Sequence, residues 1–262
     1  MGILSGRSVV SVSGADRLAF LDGLVSCRTA TLRPGDLAYG ALLTPQGKVV
    51  TDLFAHALPD RVALDVPSSI ADDLQRRLSL YKLRAAVTVE RTDERVVVGE
   101  GPADPRADGL GGRAVASVHG ADDDEEYHAA RIAAGVPDAV LDFELGDAFP
   151  HDANMDLTGG VDFAKGCFVG QEVVSRMRHR GTARRRTVIA AADAPLESGA
   201  PVSAGGRVVG RLGTVVGRRG LALVRIDRTG SEADVGGTRV RLSPPPGAPF
   251  ALAEPTDAGT DA

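Results

Sequence analysis

The sequence predicts an α+β body followed by a small all-β barrel, and three observations carry that reading. Helical and strand periodicities interleave up to about residue 185. Beyond residue 186 the chain breaks into short strands separated by glycine turns, and no helix of useful length fits there. The 262 residues allow one large domain or two ordinary ones. An apolar fraction of 43% supports a sizeable core, which rests on Val, Leu and Ala because there is no Trp and only 4% aromatics. We divide the chain into a body over 1–186, a β-barrel over 187–246 and a disordered tail over 247–262. The tail is rich in Pro, Ala, Gly and acid, a composition that cannot bury a core.

Arg7 to Val12 alternates like a strand, and Ser13 reads as the N-cap of a helix through Leu24, with Leu18, Leu21 and Val25 at helical spacing. Tyr39–Leu43 and Val49–Ala57 read as two strands around the turn Pro45-Gln-Gly47. Ser69–Leu83 reads as a helix with Ile70, Leu74, Leu78 and Tyr81 on one face. Strands follow at Ala86–Glu90, Arg95–Gly99 and Arg113–Val118. The acidic run Asp122–Glu126 then opens a helix that Gly135 and Pro137 close. In the barrel, strands are expected at Thr187–Ala191, Pro201–Ser203, Arg207–Val209, Arg211–Val216, Leu221–Ile226 and Arg239–Leu242.

A formal charge of −5 does not advertise nucleic-acid or acidic-membrane binding by the whole molecule. No stretch approaches the roughly 18 apolar residues of a membrane span. The first residues lack the basic and apolar regions of a signal peptide, so we expect a cytoplasmic protein without membrane contact. The two cysteines, Cys27 and Cys167, cannot by themselves hold a cluster or a structural zinc ion, and they read as reduced thiols.

The segment Lys165-Gly-Cys-Phe-Val-Gly-Gln-Glu172 concentrates the chemistry. Gly166 and Gly170 bracket Cys167 and permit tight turns or close approach of a ligand. Gln171–Met177 reads as a short helix with Glu172 in its first turn, so Cys167 lies just ahead of a helix N-terminus. A helix N-terminus and the cation of Lys165 both favour thiolate, which makes Cys167 and Lys165 the candidate catalytic pair. Gln171, Glu172 and Arg176 would hold the loop in place.

Between residues 165 and 186 there are seven Lys or Arg against one acid, a local +6, leaving −11 for the rest of the chain. Arg178, Arg180, Arg184, Arg185 and Arg186 form the candidate anion patch, suited to a folate glutamate tail, a phosphate or RNA. Nucleic acid is disfavoured because no aromatics interleave with the arginines to stack bases. The histidines lack metal-ligand spacing, so no metal is predicted, and no serine-nucleophile, Walker A or zinc-protease motif is present.

Two stretches, Phe149-Pro-His-Asp-Ala-Asn-Met-Asp156 and Val161-Asp-Phe-Ala-Lys-Gly-Cys-Phe-Val-Gly-Gln-Glu172, resemble the signature of the YgfZ family. Val12–Leu21, Pro45–Lys48 with Asp52, Tyr81–Arg84 and Arg131–Pro137 look like further milestones in the same order. The resemblance implies a folate-binding relative of the glycine-cleavage T-protein (aminomethyltransferase), acting in maturation of iron–sulfur proteins. It also implies a T-protein-like body with a ferredoxin-like portion, a C-terminal β-barrel and a tetrahydrofolate pocket with the cysteine loop near its mouth. Asp52, Tyr81, Arg131 and Asn154 become the folate-binding candidates. Two departures concern the transferase chemistry: Thr51 stands where the T-protein has the first of two aspartates, and Ala133 where it has a pterin-gripping glutamate.

The function expected from these readings is a tetrahydrofolate-binding accessory factor for maturation or repair of iron–sulfur (4Fe–4S) proteins, acting through Cys167. Its partners would be iron–sulfur assembly proteins or client apoproteins. A folate-dependent one-carbon transferase and an RNA-binding module are the alternatives.

Overall fold

A computed structural model describes residues 2–120, 124–181 and 183–253. In chain order the elements are β1 (Gly2–Leu4), β2 (Arg7–Ser13), α1 (Arg17–Asp22), β3 (Leu37–Leu43), β4 (Val49–Ala57), β5 (Arg61–Pro67), α2 (Ala71–Tyr81), β6 (Thr88–Thr92), β7 (Arg95–Ala103), β8 (Gly112–Ala116), α3 (Glu125–Ala134) and α4 (Gln171–Arg180). The barrel strands follow as β9 (Arg185–Ala192), β10 (Pro201–Ala204), β11 (Arg207–Val216), β12 (Arg219–Arg225), β13 (Glu232–Val235) and β14 (Thr238–Ser243).

The body is organised on an antiparallel sheet in the order β3-β4-β5-β2-β6. Strand alternation sorts its side chains between two layers. Val10, Val12, Leu53, Ala55, Val62, Leu64 and Val66 pack with Leu21, Leu74 and Leu78 of α1 and α2. Their neighbours Val9, Asp52, Phe54, Ala63 and Asp65 are also buried and fall in the opposite register. A three-stranded sheet, β1-β7-β8, shares a small core with the strand residues Val9 and Ala63 and with Tyr127 of α3. The last six strands close a barrel in the order β10-β11-β12-β9-β14-β13, completed by the pairing of β13 with β10.

The α+β body and the C-terminal barrel stand as expected, and the differences are local. The first helix starts at Arg17 instead of following Ser13, because Gly14 takes φ +108° and its backbone abuts Ala86. The second helix ends at Tyr81, with Leu83 at φ +42°. Strands β1, β5 and β13 were not anticipated. β5 reads Arg-Val-Ala-Leu-Asp-Val-Pro, and its buried Asp65 hides the apolar pattern. The two strands expected over 207–216 form one, with Gly210 inside it, where a Cβ would meet the Leu223 carbonyl oxygen at 2.1 Å. Part of the tail over 247–262 lies outside the described residues; within them, Phe250 and Leu252 pack against the barrel core. The acidic run at 122–126 also falls partly outside, but Glu125 and Glu126 do occupy the first turn of α3 and Gly135 caps its end at φ +69°.

Candidate functional site

The cysteine loop is built by two glycine contacts and two buried anchors. Gly170, at φ +80°, is the N-cap of α4, and a Cβ there would meet the Thr44 carbonyl oxygen at 2.5 Å. Gly47, at φ +78° in the β3–β4 turn, faces the Val173 side chain of α4, which a Cβ would meet at 3.0 Å. The turn and the helix start therefore mesh through backbone that only glycine permits. Phe168 and Val174 are buried in the cluster formed with Tyr39, Leu43 and Val49. Asp162 accepts hydrogen bonds from the Ala164 and Lys165 amides at 2.8 and 3.0 Å and pairs with Arg28 at 2.8 Å. Between these fixtures the chain leaves Cys167 exposed. Gly166 differs from Gly170: nothing lies within 4 Å of its missing Cβ.

Lys165 serves a different partner from the one expected. Its side chain is turned into the body, where Nζ donates to the carbonyls of Asp22, Val25 and Cys27 at 2.6, 2.8 and 2.8 Å and lies 3.4 Å from the Asp22 carboxylate. Burial holds its pKa below the usual lysine range, with Asp22 opposing the shift. The ammonium thus seals the chain after α1, a correction to its expected role of ionising Cys167. Cys27, packed against Gly40, is buried, and burial pushes its thiol up to about 12. Glu172 and Arg176 form an exposed i,i+4 pair on α4, which adds little to stability.

The basic block divides. Arg178, Arg180 and Arg184 are exposed, and the guanidinium of Arg178 sits 4.1 Å from the Phe163 ring centroid. Arg185 instead bonds Asp147 and Asp152 at 2.8 and 2.7 Å. Arg186 grips both Asp156 oxygens at 2.6 and 3.0 Å and donates to the His151 carbonyl at 3.0 Å. These two arginines fasten the 147–156 segment to β9 and are not available to an outside anion, which corrects the five-residue patch. His151 is buried beside them with neither ring nitrogen hydrogen-bonded, and burial holds its pKa below the usual histidine value.

The four folate candidates do not converge. Tyr81 is 45% exposed at the end of α2. Asp52 and Arg131 belong to a buried network of four arginines and five aspartates that links the two sheets of the body with α3 and the 138–142 connector. Arg7 pairs with Asp52 at 3.1 Å and with Asp65, which Arg113 also holds at 2.6 Å. Arg106 joins Asp104 at 2.8 Å, Asp138 at 2.5 Å and the Tyr127 hydroxyl. Arg131 joins Asp138 at 3.2 Å, Asp142 at 2.9 Å and Thr214 of the barrel at 3.0 Å. Asp65 is held well below the usual carboxylate range: Arg113 and Arg7 outweigh its burial. Asp52, with burial dominant and Asp138 adding repulsion, is pushed above it.

Asn154 alone among the four retains an unsatisfied group. Its Nδ2 donates to the Thr187 carbonyl at 2.9 Å while the buried Oδ1 has no partner. It lines a cavity of about 360 Å³ with Arg106, Val136, Leu157, Thr158 and the 245–249 segment. Asn154 is only 1% exposed, so the residues present could offer that acceptor to the N–H edge of a pterin only after its side chain shifts toward the cavity. They offer it no free carboxylate at Asp52. Among the described residues no group of three His, Cys, Asp or Glu is arranged to hold a metal ion, and no helix is long and apolar enough to cross a membrane.

Sequence reasoning missed Arg7, Asp65, Arg106, Arg113, Asp138 and Asp142. The available signal was a lone charge inside an apolar strand, as at Asp52 in β4 and Asp65 in β5. Buried charges persist only where they are paired.

The iron-sulfur cluster assembly factor IBA57, mitochondrial, of Mus musculus is 30% identical over 85% of this chain and 76% of its own length. The Homo sapiens protein of the same name is 31% identical over 84% and 76%. The chain belongs to the IBA57 family. A Mycosarcoma maydis homolog in this family is 34% identical, but the chain spans only 54% of its length. Residues 184–250 match the family described as CAF17, C-terminal beta-barrel domain. The crystal structure of glycine cleavage system aminomethyltransferase T from Bartonella henselae superposes with a TM-score of 0.71, covering 92% of this chain and 83% of that one at 16% identity. The fold is therefore the T-protein-like one with its barrel, as the resemblance implied. The IBA57 relatives are named as mitochondrial proteins, and this overturns the cytoplasmic location expected from the sequence.

Proposed function

We propose that this protein is an accessory factor for maturation or repair of iron–sulfur proteins, including 4Fe–4S proteins, and that it acts through Cys167 with tetrahydrofolate as its ligand. The observation that carries the reading is an exposed thiol fixed between the buried anchors Lys165 and Phe168, in a chain whose family relatives are named iron-sulfur cluster assembly factors. A thiolate is a ligand for iron, and an exposed one on a rigid loop can be reached by a cluster held on another protein. The cluster is then cargo: the Cys167 proton leaves to solvent as sulfur bonds iron, and returns when the cluster moves on. Partners would be iron–sulfur assembly proteins or client apoproteins.

Asn154 Oδ1, once its side chain turns out of the wall that encloses it, would accept from the pterin edge, and the apolar side chain of Leu157 would cover the ring. A bound reduced folate supplies a one-carbon-carrying, oxidisable heterocycle. The transferase alternative is disfavoured because Asp52 is fully enclosed with Arg7, and Thr51 donates its hydroxyl to the Asp52 carbonyl at 2.7 Å.

Cys167→Ser is expected to abolish support of a cluster-dependent enzyme in cells lacking the gene, with an unchanged melting temperature. Full support by the serine variant would refute the role of the thiol. Titration with tetrahydrofolate should show binding that weakens about tenfold in Asn154→Ala, the loss expected for one buried hydrogen bond. Equal binding by both proteins would remove Asn154 from the site, and no binding by wild type would remove the folate.

A further inference from the structure

We propose that the C-terminal end of α2 is a docking surface for an acidic partner protein, one that sets carboxylates around an apolar side chain. Seven large hydrophobic residues are exposed among the described residues, and three of them lie within four positions here: Leu80 at 75%, Tyr81 at 45% and Leu83 at 89%. The run from Ser79 to Arg84 is exposed throughout. Isolated surface leucines are ordinary, but a cluster of them marks an interaction site. Leu83 also sits at φ +42°, in the left-handed region, where glycine would be at ease. Its backbone therefore holds an apolar side chain in water at a conformational cost, and strain of this kind gathers at sites that bind.

The charges choose the occupant. Arg76 and Arg77 on α2 are paired with Asp73, whereas the Lys82 and Arg84 side chains have no ion-pair or hydrogen-bond partner among the described residues. Leu80, Tyr81 and Leu83 are thus bordered by two uncommitted cations in a chain whose net charge is −5. A carboxylate-bearing partner gains both charge pairs and apolar burial, and a cationic one gains neither.

The place of the patch ties it to the thiol, and this step rests on the reading of Cys167 given above. Asp16, at the start of α1, accepts a hydrogen bond from the Ala86 amide at 2.7 Å and so fixes the turn that follows α2. The carbonyls of Asp22, the last residue of α1, and of Val25 just beyond it accept the ammonium of Lys165, two residues before Cys167. Helix α1 has six residues, about 9 Å of rise. A standard interface covers roughly 800 Å² on each partner, a patch roughly 30 Å across, which spans both ends of such a helix. The partner seated on Leu80–Arg84 is therefore the protein that brings a cluster to Cys167 or takes it away.

The test is site-specific photo-crosslinking in cells making the full chain. The crosslinking residue is placed at Leu83, with Val208, 70% exposed on the barrel, as control position. The expected adduct is an identified cluster-carrying or cluster-receiving protein. It should fall at least tenfold when Lys82→Glu and Arg84→Glu are combined and should persist with Cys167→Ser. Leu83→Gly, which relieves the backbone, should leave the melting temperature equal or higher while lowering support of the cluster-dependent enzyme. An adduct that is a second copy of this chain, a nucleic acid or a protein unrelated to clusters overturns the proposal. So does an adduct insensitive to charge reversal or no stronger than at Val208. The two readings fail separately: a charge-insensitive adduct with an inactive Cys167→Ser variant removes the docking surface and leaves the thiol role standing.

Discussion

At residue 165 a single buried ammonium closes the turn after α1. A lysine two positions before a cysteine suggests thiol activation, yet its ammonium is bonded to three carbonyls of the 22–27 segment. Lys165→Met would leave those acceptors without their donor, at a cost of about 2–3 kcal/mol, readable as a lower urea midpoint. Alkylation of Cys167 under native conditions should then change by less than about twofold, since the ammonium is committed to those carbonyls. A large drop in alkylation rate with stability intact would restore the activating role. The start of the helix that follows Cys167 was legible because its glycine-framed motif is contiguous. Asp65 and Arg113 were not, because their pairing joins positions 48 apart that no local pattern connects.

Helix α4 and the β3–β4 turn are the element that presents the thiol, and its two glycines are not equivalent. Gly170→Ala forces a Cβ against the Thr44 carbonyl at positive φ and should lower stability by about 1–3 kcal/mol. Gly166→Ala has open space and no positive φ, so its stability change should lie within about 0.5 kcal/mol. Paired thermal melts decide the matter, and equal losses in both variants would contradict the geometry. The helix after the motif was legible from its sequence, and α4 runs three residues past the expected Met177 to Arg180. The meshing of Gly47 with α4 was not, for it is a contact between distant turns. The basic block behaved similarly: its charge was plain, but the burial that commits Arg185 and Arg186 to internal aspartates appears only after folding.

Across the whole molecule the buried arginine–aspartate network joins the two sheets, α3 and the connector, with Thr214 of the barrel as its outermost contact. Asp65→Asn leaves Arg7 and Arg113 short of countercharge in a buried site. It should cost about 3–5 kcal/mol, measured as a shift of the denaturant midpoint. A change below about 1 kcal/mol would mean that the network is dispensable. The change of texture near residue 186 was enough to foresee the barrel, because short strands and turns are local signals. The hub was hidden, since each of its charges looks like an ordinary surface residue when read alone. The tie made by Lys165 has a consequence for the order in which the protein is made. Its three acceptors leave the ribosome some 138 to 143 residues ahead of the ammonium that satisfies them. During synthesis the segment after α1 waits with open carbonyls, and the thiol cannot be set until the chain has returned to its own beginning. A nascent chain halted before residue 165 therefore still lacks the ammonium that closes the turn after α1.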